Sequence, residues 1–420
     1  MRGIIEGFYG TPWTWDERRS LCAVLADAGM DTYVYAPKDD PLHRDQWREP
    51  YPAEVLAEFE ALAAQDTLRV GFSISPGLTM VLDDAEDRRR LLAKIDAVRA
   101  AGITLVGLLL DDLDPAPGLG RRHGELTAWL RDQLDPSVEL FMVPLHYTGL
   151  ERPPYLEELD ATVPAEVPIG WTGRHVVNST ITAQDAATWS ANMGGRRPLL
   201  WDNTPVNDAV MTDHLFTGPL RGREPALVEH LSGYLANPMV QPRVSTAPLL
   251  SAAAWLRGDD PVAAWRDAAG SDRVFLEGCD GEEPWRLATA ALDGDPDALA
   301  ALRAWAVAAE AVDVTALGDE VEPWAEQLRA EAAVVRVCAD LLAADPDDAR
   351  RTAPLLLVMW PVRHVGRDRS APVQVLGGRG SLLPTMGQDH QSRWVASPAS
   401  YVAPHSLTDH LVAAVFERLR

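Results

Sequence analysis

The chain has 420 residues, of which 47% are hydrophobic and 24% charged, with a formal net charge of -24. That length allows two or three structural units around a sizeable core, and the acidic balance argues against nucleic acid or an anionic membrane surface as the partner. No run of eighteen or more apolar residues offers a membrane span. No long apolar export segment precedes the first strand, and Cys22, Cys279 and Cys338 are too scattered for a metal motif or a disulfide framework, which points to core thiols in a reducing, cytoplasmic compartment.

Short apolar runs at 4–9, 32–36, 69–74, 104–110, 139–144, 167–171, 198–201 and 232–236 read as strands. Stretches at 16–28, 53–64, 84–100, 120–131, 183–192, 208–216 and 248–257 read as helices, with 154–160 short and ambiguous. Eight β-then-α units in roughly 255 residues have the size and grammar of a (β/α)8 TIM barrel. The expected fold class is therefore α/β, with the barrel over 1–257. Beyond it, alanine-rich acidic stretches broken by Asp-Pro turns predict a mainly helical domain over 258–349. Trp255, Trp265, Trp285, Trp305 and Trp324 read as core or interdomain packing. The segment 350–420 mixes loops and ends in an amphipathic helix from about residue 406; its Gly-Gly-Arg-Gly at 377–380 lacks the Lys-Ser/Thr of a phosphate loop and reads as a surface loop.

In a barrel, the residues just after each strand share one mouth. Here these are Gly7 and Tyr9, Lys38 with Asp39 and Asp40, Ser75 to Gly77, Asp111 and Asp112, His146 and Tyr147, Trp171 to Gly173, Asp202 with Asn203 and Asp208, and Asn237. The amino-terminal strand ends carry no comparable set. The run 104–110 organises the others: it is apolar throughout, as a strand buried on both faces is, and it stops abruptly in Asp111, Asp112 and Asp114. Two carboxylates about 5 Å apart repel by roughly 3 kcal/mol at an effective dielectric near 20. Such a pair tends to keep one member ionised and one protonated, the starting state of general acid catalysis. Taken alone, the pair also fits a solvated strand-to-helix turn with an Asp N-cap, and Lys38 to Asp40 a solvated charge cluster. Successive side chains of a strand point to opposite sides, so the strand must twist or end for both carboxylates to reach one pocket.

Six motifs then follow one another in order: Glu6-Gly-Phe-Tyr-Gly-Thr-Pro-Trp13, Thr32-Tyr-Val-Tyr-Ala-Pro-Lys-Asp-Asp40, His43-Arg44 with Trp47-Arg48-Glu49, Leu110-Asp-Asp-Leu-Asp114, Trp171-Thr-Gly173, and Trp201-Asp-Asn203 with Asn207-Asp208. Together they resemble the catalytic domain of glycoside hydrolase family 84, the retaining β-N-acetylglucosaminidases that include O-GlcNAcase. The resemblance runs from residue 3 to about residue 240. It implies substrate-assisted hydrolysis, an exception to the two-carboxylate displacement scheme, in which the 2-acetamido oxygen of the sugar attacks the anomeric carbon to form an oxazoline. By motif position, Asp111 would orient and polarise the acetamido N–H, and Asp112 would protonate the leaving oxygen and later deprotonate water. The resemblance further implies that Tyr147 bonds the developing oxazoline region, that Lys38 and the Gly7 backbone hold sugar hydroxyls, and that Asp208 grips the 4- and 6-hydroxyls. Asn203 and Asn237 would complete the cradle, while Trp201 and Tyr147 would wall the acetamido methyl. His146 stands where the family commonly has an acid. The implied partner is a GlcNAc-bearing glycan or glycoprotein, with no cofactor, and the natural aglycone and oligomeric state stay open.

His43, His146 and His175 have no ligand spacing, so no metal is expected. Chitinase-type sites want a Glu beyond an Asp ladder and hexosaminidase-type sites an Asp-Glu pair, and Asp111-Asp112-Leu113-Asp114 offers neither. A catalytically degenerate barrel that binds GlcNAc glycans is the non-enzymatic alternative, against which the intact Asp pair weighs.

Overall fold

Eight parallel strands curl into a nearly closed barrel: β1 (Arg2–Glu6), β2 (Thr32–Tyr35), β3 (Arg69–Ile74), β4 (Leu105–Leu109), β5 (Glu139–Val143), β6 (Gly170–Trp171), β7 (Leu199–Asp202) and β8 (Gly233–Ala236). The computed structural model describes residues 1–362, 373–377, 386–388, 394–396 and 406–419. Hydrogen-bonded strand order is β5-β4-β3-β2-β1-β8-β7-β6, and a bridge between Met142 and Ile169 closes the seam from β5 to β6. Helices α1 (Trp15–Asp27), α2 (Ala53–Ala63), α3 (Ala85–Ala100), α4 (Leu119–Gln133), α5 (Pro154–Asp160), α6 (Ala183–Asn192) and α7 (Pro242–Arg257) lie along and after the strands. Local sequence starts them: Thr14 with Glu17 and Thr182 with Asp185 form capping boxes, and Asp84 caps α3.

The period-2 alternation of each strand separates two apolar layers. Ile5, Val34, Leu105, Leu109, Phe141, Val143, Leu199 and Leu235 fill the barrel interior, while Ile4, Tyr33, Val106, Leu108, Met142, Leu200 and Tyr234 face the helices. The interior layer also contains Tyr147 and Trp201, which lie at the carboxyl ends of the strands.

Three sequence expectations change. The first strand stops at Glu6 rather than continuing through Tyr9, because the Gly7 N–H turns back to the Ile5 carbonyl at 2.8 Å. Residues 208–216, expected as a helix, form only a 3-10 turn at Ala209–Met211. Asn207 ties this loop down instead: its amide donates to the His214 carbonyl and its oxygen accepts from the Val240 N–H beyond β8. The helix expected at 248–257 begins six residues earlier, at Pro242, with proline in its first turn.

The carboxyl-terminal helices are α8 (Pro261–Ala269), α9 (Arg273–Asp280), α10 (Glu282–Leu292), α11 (Pro296–Glu310), α12 (Glu322–Ala343), α13 (Pro346–Thr352), α14 (Leu356–Val362) and α15 (Leu407–Arg418). Leu407, Leu411 and Val415 of α15 share one cluster with Leu302, Leu328 and Val335, so the described part of 350–420 shares a core with 258–349. We propose a boundary near residue 257, where one core gives way to the next. Trp265 donates to the Thr217 carbonyl at 2.6 Å and Trp324 to that of Asp213 at 2.9 Å, anchoring the loop that follows β7. Residues 378–380 of the Gly-Gly-Arg-Gly segment lie outside the described residues. Among the described residues, no helix is long and apolar enough to cross a membrane.

Two buried histidines predict an acid-sensitive fold. Burial, with Lys38 nearby, pushes the His43 imidazole down to about 3, and burial pushes His123 down to about 4. An unfolded histidine titrates near 6.5, so below that pH the unfolded chain takes up protons that the folded chain refuses. The contribution of these two rings to stability is therefore fully present above about pH 6.5 and is lost as pH falls toward 4 and 3, by at most about 1.4 kcal/mol per pH unit for each ring. The melting temperature is expected to drop between pH 7 and 5, and the drop should shrink in His43→Asn. An equal drop in that variant contradicts the assignment.

Candidate active site

Pleating of β4 puts Leu105 and Leu109 inside the barrel and Val106, Leu108 and Leu110 outside, so Asp111 follows on the inner side. Regular geometry would send Asp112 outward. Instead Asp112 takes a left-handed backbone conformation, with φ of 56°, which Asp tolerates better than most residues, at a cost of about 1 kcal/mol. This reversal turns the second carboxylate back over the mouth.

Asp111 is buried, and its Oδ2 pairs with Lys38 Nζ from the end of β2 at 2.6 Å. Its other oxygen, Oδ1, is buried without a hydrogen-bond partner among the described residues. An unsatisfied buried acceptor costs about 1–3 kcal/mol. Asp112 is held differently: Tyr9 donates to Oδ2 at 2.8 Å and Tyr147 to Oδ1 at 3.2 Å. On the opposite side of the mouth, Asp208 accepts from the Tyr9 backbone N–H at 2.8 Å. Burial raises the Asp208 carboxyl above its ordinary range, partly offset by that N–H.

Two side-chain amides, one indole and one backbone N–H form a connected wall. Trp201 Nε1 and Asn237 Nδ2 both donate to Asn203 Oδ1 at 2.9 Å, and Asn237 Oδ1 accepts from the Gly7 N–H at 3.2 Å. Gly7 has no alternative here, because a Cβ would lie 2.3 Å from Trp201 Cζ2. The indole therefore packs against the Gly7 backbone just beyond β1.

These groups surround a cavity of about 420 Å³, within the range of small-ligand sites, and all nine site residues expected from the sequence line it: Gly7, Lys38, Asp111, Asp112, Tyr147, Trp201, Asn203, Asp208 and Asn237. Tyr9, Thr172, Val176, Val177, Val206 and Met211 line it as well. Tyr9 was legible as a mouth residue two positions beyond Gly7, but its hydroxyl contact was not. Other mouth residues serve the scaffold. Asp40 accepts from Tyr35 and Tyr51 hydroxyls at 2.8 and 2.6 Å. Asp202 pairs with Arg223 at 2.9 and 2.7 Å. His43 Nδ1 bonds the Ser73 carbonyl at 2.8 Å, and the His146 ring rests 5.1 Å from that of Tyr155.

Paired carboxylates at the carboxyl end of a parallel barrel are the equipment of many sugar-cleaving enzymes, although a fold alone does not fix an activity. Here the family to which the chain belongs is one of glycoside hydrolases. The chain belongs to the β-N-acetylglucosaminidase family, whose model matches residues 2–272. Over 275 residues it is 29% identical to the Protein O-GlcNAcase of Rattus norvegicus, and equally to that of Mus musculus, covering 61% of this chain and 30% of each relative. The chain thus spans about a third of the length of these curated relatives. A solved structure of an O-GlcNAc hydrolase mutant from Thermobaculum terrenum aligns with a TM-score of 0.74 at 26% identity, covering 86% of this chain and 89% of that one.

Proposed function

We propose that this chain is an exo-acting, retaining β-N-acetylglucosaminidase that removes terminal β-linked GlcNAc by substrate-assisted catalysis. One observation carries the reading: Asp111 is clamped through Oδ2 by Lys38, while its Oδ1 is buried beside the cavity with no donor among the described residues. An acetamido N–H is the donor that would satisfy it. Orienting that N–H aims the acetamido carbonyl oxygen at the anomeric carbon. In the first step the bond from that oxygen to C1 forms, the bond from C1 to the leaving oxygen breaks, and the Asp112 proton moves to the leaving oxygen. In the second step Asp112, now a carboxylate, takes a proton from water. The water oxygen bonds C1, and the oxazoline bond to C1 breaks. Two inversions give net retention.

The remaining roles follow the cavity. Lys38, with one of its three N–H donors on Asp111, and the Gly7 backbone would hold hydroxyls. Asp208 would accept from the 4- and 6-hydroxyls, and Asn203 and Asn237 would bond the sugar from the wall. Trp201 and Tyr147 would enclose the acetamido methyl. Free thiols at Cys22, Cys279 and Cys338 support a reducing, cytoplasmic setting with a GlcNAc-bearing glycan or glycoprotein as substrate. The expected result is hydrolysis of an aryl β-N-acetylglucosaminide with the β-anomer released first, seen by proton NMR, and no turnover of the matching aryl β-glucoside, which lacks the acetamido group. Equal turnover of the two glycosides would sink the substrate-assisted reading.

A further inference from the structure

Arg44 has no role in the reading above, yet it begins a chain of donors that ends on Asp112. Its Nη1 donates to the Tyr9 hydroxyl at 2.7 Å, and that hydroxyl donates to Asp112 Oδ2 at 2.8 Å. The guanidinium also lies 5.6 Å from the centre of the Tyr9 ring. Arginine carries donors only. By occupying a lone pair of the phenol oxygen it leaves the single phenol proton to the carboxylate, so the direction of the chain is fixed. The tyrosine backbone is fixed too, since its N–H binds Asp208 at 2.8 Å and the next N–H, of Gly10, binds Asp39 at 2.9 Å.

We propose that Arg44 is a positioning residue that, through Tyr9, holds a donor on Asp112 and favours the ionised form of that carboxylate. The proposal rests on the acid–base reading of Asp112. Around that carboxylate stand Asp111 from the same strand end, Lys38 and Arg44 from the segment after β2, Tyr9 from that after β1, Tyr147 from that after β5, and Asp208 from that after β7. Lys38 is already paired with Asp111 at 2.6 Å. Among the described residues Arg44 contacts no carboxylate, so its charge acts on the Asp pair through Tyr9 and across space. Burial, and then the Asp112 charge, raise the Tyr9 phenol, which keeps it a donor at working pH. The device suits a group that must release a proton in one step and accept one in the next.

The test follows the Asp112 carboxyl in the unliganded full chain by carbon-13 NMR of aspartate-labelled protein, with the signal assigned by its loss in Asp112→Asn. Its titration midpoint is expected to rise by about 0.5–1 pH unit in Arg44→Leu and in Tyr9→Phe, and by less in Arg44→Lys, which keeps the charge. The double variant should rise by less than the sum of the two, because both act through one chain. An unchanged midpoint in both single variants overturns the proposal. The basic limb of kcat/KM on a GlcNAc substrate with an alkyl alcohol leaving group, whose departure needs the Asp112 proton, should move with the midpoint. A midpoint that rises while the limb stays fixed upholds the link from Arg44 to Asp112 and removes Asp112 from the acid role.

Discussion

Asp112→Asn is expected to lower kcat/KM on a GlcNAc substrate with an alkyl alcohol leaving group by about 10²–10⁴-fold, and to spare most of it on a nitrophenyl glycoside. An alkoxide is too basic to depart without a proton, whereas a nitrophenolate departs without one. kcat/KM reports the first irreversible step, so the loss of the base needed for the second step does not blur the comparison. The side chain keeps its size, and the barrel beneath it is untouched. Measuring both substrates over pH 4 to 9 provides the check. Equal losses on the two would mean that Asp112 does something other than protonate the leaving oxygen.

The barrel was legible because its strands are buried on both faces and so appear as unbroken apolar runs. β3 matches its expected bounds at Arg69–Ile74, and β4 and β5 differ by a residue at their ends. The site was legible to the extent that it follows from being at a strand end. What the sequence hides is the pairing between loops. Lys38 and Asp111 are 73 positions apart, and their hydrophilic surroundings in the chain read as solvated charge until the barrel brings them together. The left-handed turn at Asp112 was foreseen only as a need for the strand to stop, because no glycine marks it. The stretch after Asp208 had the period of a helix, but the contacts by which Asn207 ties the His214 carbonyl to Val240 leave no mark in the order of residues. Arg44 stood in a motif without a role, since nothing in the order of residues says that it reaches the Tyr9 hydroxyl.

Asp111→Asn tests the other half of the pair, and two consequences of it separate. The first is structural: Lys38, with a side chain only 3% exposed, loses its counter-ion, and breaking a buried pair from one side costs about 3–5 kcal/mol. Adding Lys38→Met should restore much of the melting temperature, because the stranded charge is gone. The second consequence is chemical and should not be restored. A neutral amide withdraws less from the acetamido N–H, so the carbonyl oxygen becomes a weaker nucleophile and the rate is expected to fall by about 10²–10³-fold, the scale of losing one preorganised electrostatic contact. The signature lies in a series of aryl glycosides whose acetamido methyl carries zero to three fluorines. With the carboxylate in place, part of the nucleophilicity comes from the enzyme. Without it the reaction depends more on the substituent, and the slope of log kcat/KM against fluorine content should steepen. A slope identical to that of the unmodified enzyme would mean that Asp111 never touches the acetamido group, however completely the double variant recovers its stability.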